Sequence, residues 1–158
     1  MAYLPKAEKD EVRFQNLWIA RRLLAAFSFA QPEVFPTYIS RDIVNHSPHP
    51  KSSVKEEDEV RVQKQAFPDL HFREELAVAE GDMVYLGWEA TGTHRGPLYE
   101  KAPTLSRFNL HGAEMLRLKD GKVIEHLDHF AKPRLESLLL LGCLDDKVLQ
   151  QLEADGLL

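Results

Sequence analysis

The last predicted strand of the sequence, residues 123–130, holds the densest group of side chains that could move a proton. It contains Glu125, Asp128 and His129. A carboxylate or imidazole inside an apolar cavity has a shifted pKa and can exchange a proton near neutral pH. The alternative is that these groups pair with neighbouring strands or lie at an exposed rim. We predict a functional role for at least one of them and assign catalysis to Asp128 and His129.

The strand period predicts which of these side chains share a face. Alternation groups the run into two sets: Val123, Glu125, Leu127 and His129, and Ile124, His126, Asp128 and Phe130. Asp128 and His129 are adjacent, so a regular strand cannot direct both into one pocket, whereas a bulge would change this. The pattern leaves open which of the two faces inward.

Five further residues are predicted to contact a ligand: His46, Trp88, His94, Arg117 and Glu125. The planar fork of Arg117 could hold a carbonyl or anionic oxygen, although a surface position at a strand end is the alternative. His94 precedes a loop that contains Gly96 and either points into a cavity mouth or bonds to loop backbone. Trp88, in the middle of a strand, is expected to form a wall or part of the core.

Two other features bear on metal and nucleophile chemistry. His46 and His49 lie in a His-Ser-Pro-His-Pro loop. They could form a polar pair at the pocket rim, act as two metal ligands, or lie in an exposed turn. No CxxC or HExxH spacing supports a metal site, so no metal is predicted. Cys143 lacks an activating partner, which argues against a nucleophilic thiol.

The elements that must position these residues follow from periodicity and from breaker residues. Residues 8–30 have a broad apolar stripe typical of a helix. A short helical turn is predicted for 32–38, a strand near 42–46, and an acidic helix that Ser53 could cap and that ends before Pro68. Four strands follow at 70–79, 83–93, 107–119 and 123–130, and a last helix runs from Pro133 to about Leu152.

Helices followed by consecutive antiparallel strands predict an α+β domain. We expect the helices to cover one face of a strongly curved sheet and to leave a cone open at one end. Apolar walls with a few convergent polar groups are the usual lining of such a pocket.

Composition excludes several classes of protein. The chain has 158 residues, of which 44% are hydrophobic and 28% charged, as expected for one globular domain covering residues 1–158. A net charge of −5 argues against a nucleic-acid partner. The single cysteine fits a reducing compartment, and from the charged first residues and the short apolar runs we expect neither a signal peptide nor a membrane-spanning segment. We therefore predict a cytoplasmic protein without a membrane or nucleic-acid partner.

Ordered short motifs give the chain a family resemblance. They are His46-Ser47-Pro48, Ala66-Phe67-Pro68-Asp69-Leu70, Gly81-Asp82-Met83-Val84, Thr91-Gly92-Thr93-His94-Arg95-Gly96, residues 117–126 and Leu141-Gly142. In this order and spacing, the chain resembles the SnoaL-like polyketide cyclases of the nuclear transport factor 2-like superfamily. The resemblance covers about residues 13–150.

The resemblance implies a cystatin-like α+β cone, often dimeric, with a pocket between the sheet and the N-terminal helices. It implies ring closure by intramolecular aldol condensation without a metal or an organic cofactor. An acidic residue near the last strand moves the proton in that family.

The chain departs from the family pattern in that region. The family pattern is Glu-His-Trp with an aspartate four residues after the tryptophan, whereas this chain has Glu125-His126-Leu127 and then Ala131 at the aspartate position. Asp128 or His129 could take over the missing role. The loop after Gly96 also lacks the glycine-rich form common in the family.

Three functions are consistent with these features. The first is a cofactor-independent enzyme acting on a small apolar carbonyl compound, with Asp128 or His129 exchanging the proton. The second is a non-catalytic module that binds an apolar metabolite. The third is an interaction protein that forms dimers or hetero-complexes by burying His126 and Phe130 of an uncovered sheet face against a partner. A homodimer is the expected assembly.

Overall fold

A computed structural model describes residues 6–46, 56–98 and 101–128 of the chain. The helical elements are α1 (Lys6–Phe29), a 3₁₀ turn (Pro32–Val34), α2 (Phe35–Tyr38) and α3 (Glu56–Ala66). The strands are β1 (Ile39–Asn45), β2 (His71–Glu80), β3 (Met83–Thr93), β4 (Arg107–Lys119) and β5 (Lys122–Asp128). None of the described helices is both long and apolar enough to cross a membrane.

The five strands form one curved, unclosed sheet in the order β1-β5-β4-β3-β2. β2 to β5 are antiparallel neighbours, and β1 joins β5 in parallel. The turn between β4 and β5 has positive φ at both Asp120 (51°) and Gly121 (74°). Two central residues with positive φ define the type I′ turn that matches the twist of a hairpin, and Asp-Gly is a preferred sequence for it.

The long helix α1 lies against β2 and ends at a defined cap. Ala30 adopts a left-handed conformation with φ 52°, and the N–H of Gln31 donates to the carbonyl of Ala26 at 2.9 Å. This is the hydrogen bond of a Schellman-type C-terminus. Arg21 then donates two hydrogen bonds, of 2.7 and 2.9 Å, to the carboxylate of Glu74 on β2. The cap and this pair fix the end of the helix over the sheet.

The core lies between the helices and one face of the sheet, which we call the covered face. Ile19 and Leu23 of α1 belong to it, together with Leu86 of β3 and Val123 of β5. Lys64 of α3 donates to the carbonyls of Ser28 and Leu70, at 2.8 and 3.2 Å. Helices α1 and α3 are thereby tied to the start of β2.

The predicted α+β class, with N-terminal helices packed on a curved, mostly antiparallel sheet, is confirmed. The predicted bounds of the strands at 83–93 and 107–119 coincide with β3 and β4. The predicted strand at 123–130 is β5, which the structure describes from 122 to 128. The predicted C-terminal helix and Ser53 lie outside the described residues.

Strict alternation along the last strand is wrong at one point. Leu118 and Arg117 are adjacent on β4, yet they pair with Val123 and Glu125 of β5. Ile124 is therefore the extra residue of a β-bulge. Val123 is buried in the core while Glu125 points to the opposite, outer face of the sheet, although alternation had grouped the two together. Beyond the bulge, His126 returns to the covered face.

Candidate functional site

A cavity of about 140 Å³ lies between the helices and the covered face of the sheet. Five of its lining side chains are aromatic and three are aliphatic: Phe27, Phe67, Phe72, Trp88, Phe108, Leu70, Ala90 and Leu110. Three lining residues are polar, namely Gln63, Glu114 and His126. An apolar pocket with a few polar groups is the usual form of a small-molecule site.

The aromatic walls come from separate elements, and two of their ring pairs meet edge to face. Phe72 of β2 and Trp88 of β3 have ring centroids 5.0 Å apart, at 75°. Phe67, just after α3, lies 5.1 Å from Phe108 of β4, at 80°. Phe27 of α1 completes the wall at 5.7 Å from Phe72. Such contacts stabilise the rings beyond their buried area and hold the walls in fixed orientations.

A missing side chain on β4 makes room for the indole. Gly112 pairs with Trp88 in the β3–β4 register. A Cβ placed on Gly112 would lie 2.5 Å from Cη2 and Cζ2 of Trp88. The indole therefore occupies the space over the strand that any other residue at position 112 would fill.

Glu114 and His126 bring a carboxylate and an imidazole together in this cavity. The distance from His126 Nε2 to Glu114 Oε2 is 3.5 Å, and the two side chains are 22% and 20% exposed. This distance allows an ion pair when the imidazole is protonated but exceeds the usual length of a hydrogen bond. The pair can accept and donate a proton next to an apolar ligand.

The β5 bulge is the local feature that positions the imidazole. After the extra residue Ile124, Glu125 pairs with Arg117 and His126 pairs with Leu116. The side chain of Leu116 is buried on the covered face, so its partner His126 lies on that face as well. This placement corrects the third sequence hypothesis, in which His126 belonged to an uncovered face.

Two of the predicted ligand contacts lie at or behind the cavity wall. Trp88 lines the cavity. His94 is fully buried outside the lining, with its ring 5.4 Å from that of Phe67. The N–H of Thr104 donates to His94 Nδ1 at 3.2 Å, which is the loop-bonding alternative weighed for this residue. Burial lowers the pKa of His94, and a backbone hydrogen bond with Gly96 opposes that effect.

The other three predicted contacts meet one another on the outer face. Glu125 accepts a hydrogen bond from Arg117 Nε at 2.7 Å and lies 2.7 Å from His46 Nε2. Arg117 Nη1 also donates to Asp82 at 3.0 Å. Hydrogen bonds from Arg117 and then His46 lower the pKa of Glu125. The sequence predicted each of these three residues as a ligand contact, whereas the structure places them together in an exposed ion network that does not line the cavity.

The structure describes Asp128 but not His129, the two residues to which the sequence analysis assigned catalysis. Asp128 is the last residue of β5, and its backbone pairs with that of Glu114. His129 lies outside the described residues. The catalytic roles of both therefore stay predictions.

Glu114 was missed although the sequence holds a signal for it. The covered face of β4 carries Phe108, Leu110, Leu116 and Leu118, and all four are buried. Glu114 is the charged residue on this otherwise apolar alternation. An acidic residue in phase with buried positions is a functional indicator, because burying a carboxylate without a partner is costly.

Among residues 6–46, 56–98 and 101–128, no three His, Cys, Asp or Glu side chains are grouped closely enough to hold a metal ion.

Comparisons with known proteins agree with this architecture. A family model for SnoaL-like polyketide cyclases matches residues 18–136. AclR from Streptomyces galilaeus, a candidate hydroxylase, is 31% identical with a TM-score of 0.69, and the match covers 80% of this chain and 96% of AclR. No curated protein is significantly similar to the chain.

More distant structures share the fold. A candidate SnoaL-like polyketide cyclase from Jannaschia sp. CCS1 is 20% identical with a TM-score of 0.67, covering 88% of this chain and 96% of that one. TsrD from Streptomyces laurentii is 19% identical with a TM-score of 0.69, covering 90% and 100%. Together with the family model, these likenesses show that the chain belongs to the SnoaL-like polyketide cyclase family and has the nuclear transport factor 2-like fold.

Proposed function

We propose that the protein is a cofactor-independent enzyme that moves a proton on a small, largely apolar, carbonyl-bearing molecule bound in the cavity. The observation that carries this proposal is the carboxylate–imidazole pair of Glu114 and His126, 3.5 Å apart among aromatic walls. Membership of a family of polyketide cyclases supports the same type of chemistry.

In the proposed step, the carboxylate of Glu114 removes a proton from the carbon next to the carbonyl group. The electron pair of the broken C–H bond forms a C=C bond, and the carbonyl π pair moves to oxygen to give an enolate. A protonated His126 or the amide of Gln63 donates a hydrogen bond to that oxygen. Apolar walls strengthen such bonds, because little water competes for the charge.

The fate of the enolate decides the overall reaction. Return of the proton to the same carbon gives exchange, and its delivery to another carbon gives isomerisation. Attack of the enolate carbon on a second carbonyl carbon forms a C–C bond and closes a ring, as in an aldol condensation. All three outcomes begin with removal of the same proton, so exchange is the step to measure.

The experiment follows exchange of the methyl protons of acetophenone in D₂O by proton NMR. We expect the protein to accelerate exchange above the buffer rate, and Glu114→Gln or His126→Ala to lower the added rate by about 100-fold or more. Glu75 and His111 form a similar pair on the outer face, at 2.8 Å, and serve as matched controls. Glu75→Gln and His111→Ala should leave the rate unchanged.

Two further variants test the residues assigned from the sequence. Position 128 lies two residues after His126, and its backbone pairs with that of Glu114, so Asp128 belongs to the same end of the sheet as the pair. We expect Asp128→Asn or His129→Ala to abolish exchange while folding, followed by circular dichroism, is retained. Full activity in both variants would remove these two residues from the mechanism.

A non-catalytic binding module is the second candidate, favoured by the predominance of apolar side chains around the cavity. Saturable binding of acetophenone without any acceleration of exchange would support this reading and overturn the enzyme proposal. Equal exchange in the Glu114→Gln, His126→Ala and parent proteins would also overturn it.

A further inference from the structure

The cavity is partly open, and its volume indicates how much of a ligand it can surround. Its volume is about 140 Å³. An engineered protein cavity of roughly 150 Å³ binds benzene, whereas sites for drug-sized molecules span roughly 300–1,000 Å³. The space between the helices and the sheet therefore matches one six-membered ring with a small substituent.

The walls favour a flat ring. Phe67, Phe72, Trp88 and Phe108 meet in edge-to-face pairs at 5.0 and 5.1 Å, so ring edges and ring faces are both presented around the cavity. A planar aromatic guest can make further contacts of the same kind with both. A puckered aliphatic ring of equal size fills the volume without this gain.

The indole of Trp88 sets the limit along the sheet. It is 3% exposed and lies over Gly112, where even a methyl group would collide with it. Replacing the indole with a smaller side chain opens the space above β4 to the ligand. Adding a methyl group at position 112 displaces the indole and disturbs the wall that a bound ring would contact.

We infer that the ligand of this site is a compact molecule with a single planar ring and one carbonyl or hydroxyl group, and that Trp88, lying over Gly112, determines its maximum size. The ring occupies the aromatic part of the cavity, and its polar group meets Glu114, His126 or Gln63. The inference rests on the proposed function for the location of the site. It adds the substrate class and the residue that restricts it.

The test uses a graded series of methyl ketones, namely acetophenone, 2-acetylnaphthalene and 2-acetylanthracene, with binding measured by calorimetry or NMR titration. The parent protein should bind acetophenone at least about tenfold more tightly than the two-ring ketone. Hydrophobicity alone predicts the opposite order, because each added ring buries more apolar surface. Cyclohexyl methyl ketone, the non-planar control, should bind more weakly than acetophenone.

Two variants test whether Trp88, lying over Gly112, determines the maximum size of the ligand. Trp88→Leu should relax the limit, so that 2-acetylnaphthalene binds at least as tightly as acetophenone. Gly112→Ala should weaken acetophenone binding by about tenfold through the displaced indole. Gly87→Ala is the matched control, because a Cβ at Gly87 meets only Leu76 and Tyr85 at ordinary distances of 3.7 to 3.8 Å. If Gly112→Ala fails to fold, the test rests on Trp88→Leu, and a Trp88→Leu protein that still binds acetophenone more tightly than 2-acetylnaphthalene overturns the role of Trp88.

Each outcome separates this inference from the proposed function. Tighter binding of the two- or three-ring ketone by the parent protein overturns the size limit, even when exchange is observed. Binding in the expected order without proton exchange preserves the size limit and overturns the enzyme proposal. Failure of every ketone to bind up to its solubility limit overturns the inferred ligand class.

Discussion

Two histidines of this protein show how burial and partners assign different tasks to one side chain. His126 lies in the cavity beside the carboxylate of Glu114, and we propose that it serves proton transfer there. His94 is fully buried, and its Nδ1 accepts a hydrogen bond from the backbone of Thr104. Protonation of Nδ1 would abolish that bond and place a charge in the core. His94 is therefore suited to holding a loop in its neutral form.

Because the folded protein favours neutral His94, we expect the protein to lose stability as the solution becomes acidic. Because the pKa of His94 is lowered from its ordinary value of 6.5, the unfolded chain binds more protons than the folded chain below that pH. Stability should fall as the pH drops below about 6.5, until the folded-state pKa is also passed. Between pH 7.5 and 5.5, the melting temperature of the parent protein should fall more than that of His94→Gln. Equal losses in the parent and His94→Gln proteins would contradict the prediction.

At the residue scale, the sequence revealed the types of side chain involved but only part of their arrangement. His46, Arg117 and Glu125 were each predicted to contact a ligand. Their contacts with one another and their outward direction do not follow from the sequence, because both depend on strand pairing and on which face the helices cover. The position of Glu114 in the cavity was not predicted, because an acidic residue within a strand ordinarily faces water. Only its phase relative to the buried leucines of β4 distinguishes it.

The start of the loop that follows β3 is hydrogen-bonded to the C-terminal end of helix α3. The N–H groups of Arg95 and Gly96 both donate to the carbonyl of Ala66, the last residue of α3, at 2.9 and 3.0 Å. Asp69 accepts two bonds of 2.7 Å from the N–H and hydroxyl of Thr93. Since Phe67 lies between these attachments, they fix one wall of the cavity.

Gly96 tests this attachment. A Cβ at position 96 would overlap the backbone carbonyl of Gln65, which has no flexible atoms to move away. We expect Gly96→Ala to lower the free energy of unfolding by about 3 kcal/mol or more. Urea denaturation measures the change, with Gly87→Ala as the control that should stay within about 0.5 kcal/mol of the parent. A Gly96→Ala protein as stable as the parent would show that the loop can detach from α3 without loss.

Elements with local signals were predictable, and those that depend on distant partners were not. The Asp120-Gly121 turn is encoded by two residues, and the bounds of β3 and β4 follow from their own composition. The bulge at Ile124 has no such local code. It becomes visible only in the pairing of β5 with β4, and the pairing of β5 with β1 also shifts its register, between Ile39 and Val44.

At the scale of the whole molecule, the outer face of the sheet carries an apolar strip between two ion networks. Leu76, Val78 and Tyr85 are exposed there. One network joins Arg73, Glu75, Glu89, Asn109 and His111, and the other joins His46, Asp82, Arg117 and Glu125. An apolar region rimmed by charged groups is typical of protein interaction surfaces.

The homodimer predicted from the family resemblance stays a prediction, and this strip is where we expect a second copy to pack. Light scattering after size exclusion should give twice the chain mass of 18.1 kDa. Tyr85→Lys should shift the protein to the monomer, because a charge would be desolvated in the contact. Phe14→Lys, at an exposed apolar position of α1, is the control and should leave the mass unchanged. A parent protein of single-chain mass at all concentrations would refute the dimer.

The bulge at Ile124 affects which residues of a related protein correspond to the cavity residues of this chain. Without it, β5 would form a regular ladder, and Val123, Glu125 and His126 would keep their partners on β4. A relative one residue shorter in this hairpin could thus present the same cavity side chains under different numbers. Counting from the hairpin turn, or from a short motif, then equates the wrong residues. Strand partners identify corresponding functional groups more reliably than distance along the chain.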